Sequence, residues 1–322
     1  MQRWRGLEAA PSSWGRCVVA IGMFDGVHRG HQLLLARAVE RARQLGLPSV
    51  ALTFDPHPTE VVRPGSHPAV LTGPRAKAEL LEALGVDVLC VLPFTAAFSQ
   101  LSPDGFAHEV LVEHLHASVV IVGENFRYGR RAAGDVPALT VSGRRFGFTV
   151  EGMPLDGQDE TTWSSTYVRS CVDAGDVERA AAALGREHRI EGVVVRGDQR
   201  GREIGYPTAN LDPLPWSAVP ADGVYAGRLL RGLTGSGPAE SLPAAISIGT
   251  NPTFAGRERR VEAFVLDFSG DLYGERVALA FTARLRDTLR FDGVAPLVEQ
   301  MARDVERTRE LVDGGRPPPR VR

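Results

Sequence analysis

Residues 22–31 read GMFDGVHRGH: three glycines, an aspartate, and two histidines three positions apart. An apolar run, CVVAIG (17–22), leads into the stretch, and HQLLLARAVERARQLG (31–46) leaves it. In that second segment Leu34, Ala38 and Leu45 recur on one helical face, and Gly46 is a stop signal. LPSVALTF (47–54) is a further apolar run of strand length. A short buried strand, a helix and another short buried strand form a βαβ unit, whose two strands run parallel. Residues 22–31 therefore lie at the carboxyl end of a strand and the start of a helix. Open α/β sheets bind their ligands at that edge.

The alternation continues outward. AELLEALG (78–85) reads as helix, VDVLCVLPF (86–94) as strand, SPDGFAHEVLVEHL (102–115) as helix and SVVIVG (118–123) as strand. Ser102 is placed to cap its helix, with Pro103 at the favoured first position. These elements predict a doubly wound α/β domain. Past about residue 185 the pattern changes to strand-like runs: IEGVVVRG (190–197), GVYAGRLLRG (223–232), PAAISIG (243–249), RRVEAFVLDF (259–268) and RVALAFTARLR (276–286). Turn signals separate them (GDQRGREIGYP, GTNPTFAG, FSGDLYG), which predicts an antiparallel β-barrel. A final helix, PLVEQMARDVERTRELV (296–312), sets Val298, Met301 and Val305 on one side to pack on it, and the tail GGRPPPRVR (314–322) reads as disordered. The expected domains are 1–185 and 186–322.

Composition agrees with this division. A chain of 322 residues exceeds what one hydrophobic core usually holds, and 43% hydrophobic with 24% charged residues is typical of soluble proteins. A net charge of −2 gives no electrostatic reason to expect nucleic acid or an anionic membrane as partner. No apolar run is long enough to span a bilayer, and the N-terminus lacks the apolar core of a signal peptide. Cys17, Cys90 and Cys171 have no metal-ligand or disulfide spacing, so buried reduced thiols and a cytoplasmic location are expected. Lysine occurs once, at Lys77.

Gly22, Gly26 and Gly30 are spaced by four, which matches neither a dinucleotide fingerprint nor a Walker loop. What remains is a helix N-terminus near His31, with Gly30 letting an anion approach the backbone and His28 and His31 donating to phosphate oxygens. The alternative is that one histidine caps the helix and the other packs in a core. Two more loops follow predicted strands, DPHP (55–58) and ENFRYGRRAAGD (124–135).

HxGH after a first strand resembles the nucleotidyltransferase superfamily with a Rossmann-like domain, and WSSTYVR (163–169) is similar to that superfamily's second mark, ISSTxxR. The fuller form GMFDGVHRGH, with FDPHP (54–58) and GENFRYG (123–129), resembles the adenylyltransferase module of prokaryotic bifunctional riboflavin kinase/FAD synthetases. That resemblance implies transfer of adenylyl from ATP to FMN, with release of pyrophosphate. It implies that Gly22, Phe24, Asp25, Gly26, Gly30, Ser164, Ser165 and Thr166 bind ATP phosphates, that His28 and His31 are catalytic, and that Arg169 stabilises the leaving group. Phe54, Asp55, His57, Asn125, Phe126 and Tyr128 are then the flavin-side residues. The family often has Asp where Asn125 stands and Phe where Tyr128 stands.

GDQRGREIGYPTANL (197–211) resembles the riboflavin kinase signature, and GVYAG, GTNPTF and VEAFVLDFSGDLYG follow in family order. His is common where Arg196 stands, and Thr where Glu203 stands. With no lysine in this half, phosphoryl transfer must rest on backbone N–H groups, arginines and Mg²⁺. Gly197, Gly201 and Gly205 allow close approach to phosphates, while Thr208 and Asn210 offer oxygens to Mg²⁺. PTAN by itself also reads as a turn. Period-two alternation puts Glu262 on one face with Phe264, Leu266 and Phe268, where a carboxylate needs a function or a partner. By resemblance, Glu262 is the base that takes the proton of the riboflavin 5′-hydroxyl. Both sites are expected to use ATP and Mg²⁺, with small-molecule substrates, no nucleic acid and no membrane; a homo-oligomer is compatible with the sequence. Two other readings stay open here: a nucleotidyltransferase for another phosphate monoester, and a non-catalytic flavin carrier.

Overall fold

The computed structural model describes residues 1–11, 13–154, 157–158, 161–197, 201, 204–233, 239–253 and 256–313. The tail at 314–322, Glu203, and residues 254–255 of the GTNPTFAG turn lie outside the described residues. The chain divides into two compact units: Met1–Pro68 with Pro74–Ser164, and Ala69–Gly73 with the chain from Ser165 onward.

The first unit is built on six strands, β1 (Gln2–Arg5), β2 (Cys17–Ile21), β3 (Ser49–Asp55), β4 (Val88–Pro93), β5 (Ala117–Gly123) and β6 (Thr149–Met153). They form one sheet in the order β1-β4-β3-β2-β5-β6, with every pair parallel. All five residues of β2 are buried, because both faces of a parallel sheet are covered. Cys17, Val19 and Ile21 join one core with Val50, Leu52 and Cys90, while Val18 and Ala20 join another with Leu35 and Ala38.

Helix α1 (Arg29–Leu45) begins two residues before His31 and ends at Gly46, whose φ of 65° is the left-handed stop. It buries Leu34, Leu35, Ala38, Val39 and Ala42. Leu45 does not belong to that face: it is 44% exposed, because the last turn is where the chain reverses through Gly46 toward β3. Two helices follow, α2 (Pro58–Val62) and α3 (Pro74–Ala83). Ser102 caps α4 (Pro103–Phe106), accepting from the Gly105 N–H at 3.0 Å. The segment expected as one helix is not uniform, since residues 107–114 continue as a wider π-helix. Helix α5 (Val136–Phe146) then leads to β6, and the ribbon β7 (Gly157–Gln158) and β8 (Thr161–Thr162) completes this unit.

In the second unit α6 (Ser165–Ala174) and α7 (Val177–Leu184) precede a closed antiparallel barrel. Its strands are β9 (His188–Val195), β10 (Ala209–Pro213), β11 (Gly223–Arg231), β12 (Glu240–Thr253), β13 (Gly256–Val265) and β14 (Arg276–Arg286), in the order β10-β13-β12-β11-β14-β9. Pairing of β10 with β9 closes it. PTAN is therefore not a plain turn, because Ala209 and Asn210 are the first rungs of β10. Helix α8 (Val294–Asp313) packs on the barrel with Val298, Met301 and Val305 half-buried, but its most buried residues are Asp304, Thr308 and Val312. Asp304 tolerates that position because Arg286 donates to both its oxygens, from Nε at 3.1 Å and from Nη2 at 2.7 Å, and Gln300 adds a bond at 2.9 Å.

Candidate functional site

In the first unit strand order reverses between β2 and β5, so the loops after these strands flank the crevice where such sheets bind ligands. The loop after β2 is tightly held. Phe24 and Val27 adopt φ of 48° and 41°, left-handed values that cost a non-glycine residue free energy and persist only when the surroundings enforce them. Phe24 is fully buried and Val27 nearly so. The Met23 carbonyl just before them accepts two bonds, from the buried Thr53 hydroxyl at 3.1 Å and from the Lys77 ammonium at 3.0 Å.

His28 is the N-cap of α1, its Nδ1 accepting from the His31 N–H at 3.4 Å. An acceptor Nδ1 leaves the ring proton on Nε2. The two imidazoles stack with centroids 3.7 Å apart, and Phe24 meets His31 edge-on at 5.3 Å. Burial, followed by the neighbouring His28 and Lys77, holds His31 well below the usual imidazole range, so it is neutral at pH 7. Its Nδ1 is shut off from solvent and has no hydrogen-bond partner among the described residues. His28 thus caps the helix, and the pair forms one stacked unit at the helix N-terminus.

A Cβ at Gly30 would stand 3.2 Å from Cε1 of His28 and 3.7 Å from the Trp163 carbonyl. Arg29 lies over the Trp163 ring at 5.2 Å. The structure thereby brings the start of WSSTYVR against the HxGH turn. Ser164 closes the first unit, whereas Ser165, Thr166 and Arg169 open α6 in the second, where Arg169 Nε donates to the Ala69 carbonyl at 2.6 Å.

The flavin-side residues fall along a run of aromatic rings. Phe54 meets Phe94 and Phe98, Phe98 meets Phe106, Phe106 meets Tyr128, and Tyr128 stacks on Phe126 at 5.4 Å. Phe54 and Phe126 are half-buried, while Tyr128 is buried behind Phe126. Asn125 and Asp55 are exposed, and His57 caps α2 through a bond from the Thr59 N–H at 3.3 Å.

In the barrel Thr208 Oγ1 donates to Glu262 Oε2 at 3.0 Å. Asn210 stands opposite Glu262 in the β10–β13 register, and Ser247 opposite it on β12. Glu262 and Phe264 share a face, as the alternation predicts, and that face is the outer one. Val261, Ala263 and Val265 fill the barrel interior, so Glu262 and Phe264 point outward and are half-buried. Both faces of β13 carry apolar residues, which hid the direction of closure. The strand also ends at Val265, so the alternation does not extend to Leu266 and Phe268. Glu262 is thus held by Thr208 rather than stranded on an apolar face.

A Cβ at Gly197 would fall 2.4 Å from the Asn210 amide nitrogen, so glycine there is what lets Asn210 lie flat on the backbone. Gly201 comes as close to the Tyr206 carbonyl, and Gly205 has φ of 84°. Beside them is a cavity of about 350 Å³ lined by Thr208, Arg196, Phe268, Asp271 and Tyr273. Thr208 therefore stands between the Glu262 carboxylate and that cavity.

Two family models match: FAD synthetase over residues 10–167 and riboflavin kinase over residues 184–312. Bifunctional riboflavin kinase/FMN adenylyltransferase from Escherichia coli (strain K12) is 38% identical over 92% of both chains. That from Pseudomonas fluorescens is 38% identical over 97% of this chain and 98% of the relative. This chain belongs to the bifunctional riboflavin kinase/FMN adenylyltransferase family.

A solved structure described as a macrolide-efflux protein from Streptococcus pneumoniae is also similar, with 32% identity and a TM-score of 0.87 over 96% of this chain and 99% of that one. Among the described residues no helix is long and apolar enough to cross a membrane. As a member of the bifunctional family, the chain carries riboflavin kinase activity in its C-terminal part and FMN adenylyltransferase activity in its N-terminal part, with ATP, riboflavin, FMN and FAD as substrates and products. Sequence reasoning did not place Thr53, Trp163 or Lys77 against this loop, where the structure has them. The available signal was that Lys77 is the single lysine in the chain.

Proposed function

We propose that the stacked His28–His31 pair at the N-terminus of α1 carries adenylyl transfer, and that Glu262 with Thr208 and Asn210 carries phosphorylation. In the first reaction a phosphate oxygen of FMN attacks the α-phosphorus of ATP and pyrophosphate leaves in one in-line displacement. Imidazole N–H groups donating from a helix N-terminus suit the charge that builds on the phosphates. Gly22, Phe24, Asp25, Gly26, Gly30 and the Ser164 hydroxyl complete the phosphate site, while Ser165 and Thr166 as phosphate ligands and Arg169 as partner of the leaving pyrophosphate rest on the resemblance of WSSTYVR to ISSTxxR. Phe54, Asp55, His57, Asn125 and Phe126 receive the flavin, with Tyr128 as the backing of Phe126.

In the second reaction Glu262 takes the proton from the riboflavin 5′-hydroxyl as that oxygen attacks the γ-phosphorus of ATP, the bond to the β-phosphate oxygen breaks and ADP leaves. Gly197, Gly201 and Gly205 admit the phosphates. The oxygen donors of Thr208 and Asn210 are of the hard kind that Mg²⁺ takes, and they would hold it together with phosphates and water. Bound there, Mg²⁺ would neutralise phosphate charge, and the adenylylation reaction is proposed to use Mg²⁺ carried by the ATP phosphates. We take the catalytic halves as 1–185 and 186–322, a division supported by the start of the kinase match at residue 184. The three cysteines are free and buried, which suits a reducing cytoplasm, and burial pushes the Cys17 and Cys90 thiols up to about 12, which makes them unreactive. Self-association of the chain is compatible with this scheme.

The observation that carries the assignment is the stacked imidazole pair at the helix start. Purified enzyme given riboflavin, ATP and Mg²⁺, with flavins separated by chromatography, tests it. His31→Ala is expected to stop FAD formation while FMN accumulates, and Glu262→Ala to stop FMN formation while added FMN is still adenylylated. Equal loss of both steps in either folded variant overturns the assignment.

A further inference from the structure

The chain uses arginine for nearly every cation, and its one lysine reaches the loop that opens the adenylylation site. Lys77 sits half-buried on α3, whose neighbouring Ala76 and Ala78 are buried, and its ammonium donates to the Met23 carbonyl. Met23 is the last residue before Phe24, the first of the two left-handed residues in the loop. Strained φ values relax unless the backbone on either side is pinned. On the far side the pin is the start of α1, where Gln32 Nε2 donates to the Val27 carbonyl at 2.8 Å and the Gln32 N–H to the His28 carbonyl at 2.9 Å. On the near side it is the Met23 carbonyl, where Thr53 brings a neutral donor from β3 and Lys77 a charged one. A charge-assisted bond is the stronger of the two.

We propose that Lys77 is a positioning residue for FMN adenylylation, its ammonium pinning the Met23 carbonyl and thereby setting the loop that carries the His28–His31 pair. Lys77 does this through the backbone of residues 23–27, next to a His31 ring that its charge also reaches. The inference rests on the assignment of His28 and His31 to adenylyl transfer.

The test uses the full-length enzyme with both activities assayed on each preparation. Lys77→Met keeps the apolar stem and removes the charged bond. FMN adenylylation is expected to lose about a hundredfold in kcat, the size of effect that follows a misplacement of about 1 Å, with riboflavin phosphorylation unchanged. Lys77→Arg keeps charge and donor and is expected to return to within about tenfold of the parent enzyme, an outcome no loss of packing alone would give. Thr53→Val, which removes the neutral donor to the same carbonyl, is expected to lose less, in the same activity. Adenylylation within threefold of the parent in Lys77→Met overturns the proposal, as does an arginine variant as impaired as the methionine one. His31→Ala, run in parallel, separates the two readings. If it retains FAD synthesis, the histidine assignment fails; if it loses FAD synthesis while Lys77→Met retains it, only the lysine proposal fails.

Discussion

Replacing Gly30 with alanine sets stability against activity at a single atom. Gly30 lies in the first turn of α1, and alanine there is more favourable for the helix by about 0.5–1 kcal/mol. The new methyl, however, would stand 3.2 Å from Cε1 and 3.3 Å from Nδ1 of His28. Carbon atoms rest at about 3.5–4.0 Å, so the ring must withdraw by roughly 0.4 Å. Since misplacement by about 1 Å can cost about a hundredfold in rate, this shift alone corresponds to a loss of about sixfold. The methyl also covers the backbone through which a phosphate would approach. Gly30→Ala is therefore expected to lower kcat/KM for FMN adenylylation by at least about fivefold while the thermal midpoint stays level or rises. The assay supplies FMN and ATP and follows FAD by chromatography, with riboflavin phosphorylation as the control in the same sample. Adenylylation within twofold of the parent enzyme would show that neither the ring position nor the open backbone matters, and would refute the site assignment built on them.

Two further outcomes follow from other parts of the molecule. Asp304→Ala leaves Arg286, only 18% exposed, facing an uncompensated site; the expected cost is about 3 kcal/mol, read as a lower unfolding midpoint with earlier loss of kinase activity, and Asp304→Asn should cost less. His31 is held below the imidazole range chiefly by burial, so the folded chain refuses a proton that the unfolded chain accepts below pH of about 6.5. The stability its neutral ring confers is then complete above that pH and is lost as pH falls through it toward the lower folded value. His31→Gln is expected to flatten that part of the midpoint-versus-pH curve, and an unaltered slope on the acid side would disprove the linkage.

Much of the architecture was legible because local signals and tertiary demands coincided. The capping pattern at Ser102–Pro103 and the apolar run of β2 declare themselves in a few residues, and the structure uses both as written. Edge elements were not legible. Strands β1 and β6 carry polar residues and lack the apolar run of a central strand, and α5 begins inside a loop rich in arginine and glycine. The outward direction of Glu262 was hidden because alternation defines two faces without saying which one closes inward. Lys77 was opaque for another reason: its partner, Met23, is 54 positions away and is a backbone carbonyl, which leaves no mark on side-chain pattern. The two histidines were the reverse case, since a capped helix start places residues three apart beside each other.

The short segment Ala69–Gly73 has a consequence for how this chain can be inherited in pieces. It is covalently embedded in the N-terminal half, yet it belongs to the second unit, where Val70 bridges Ser217 in parallel and exchanges bonds with Trp216 and Ala218. A gene fragment opening at residue 165 would encode α6, α7, the barrel and α8 but not this bridging segment. No single cut in the coding sequence therefore liberates both units whole, and a kinase module transplanted alone would need a substitute for the segment that covers residues 216–218.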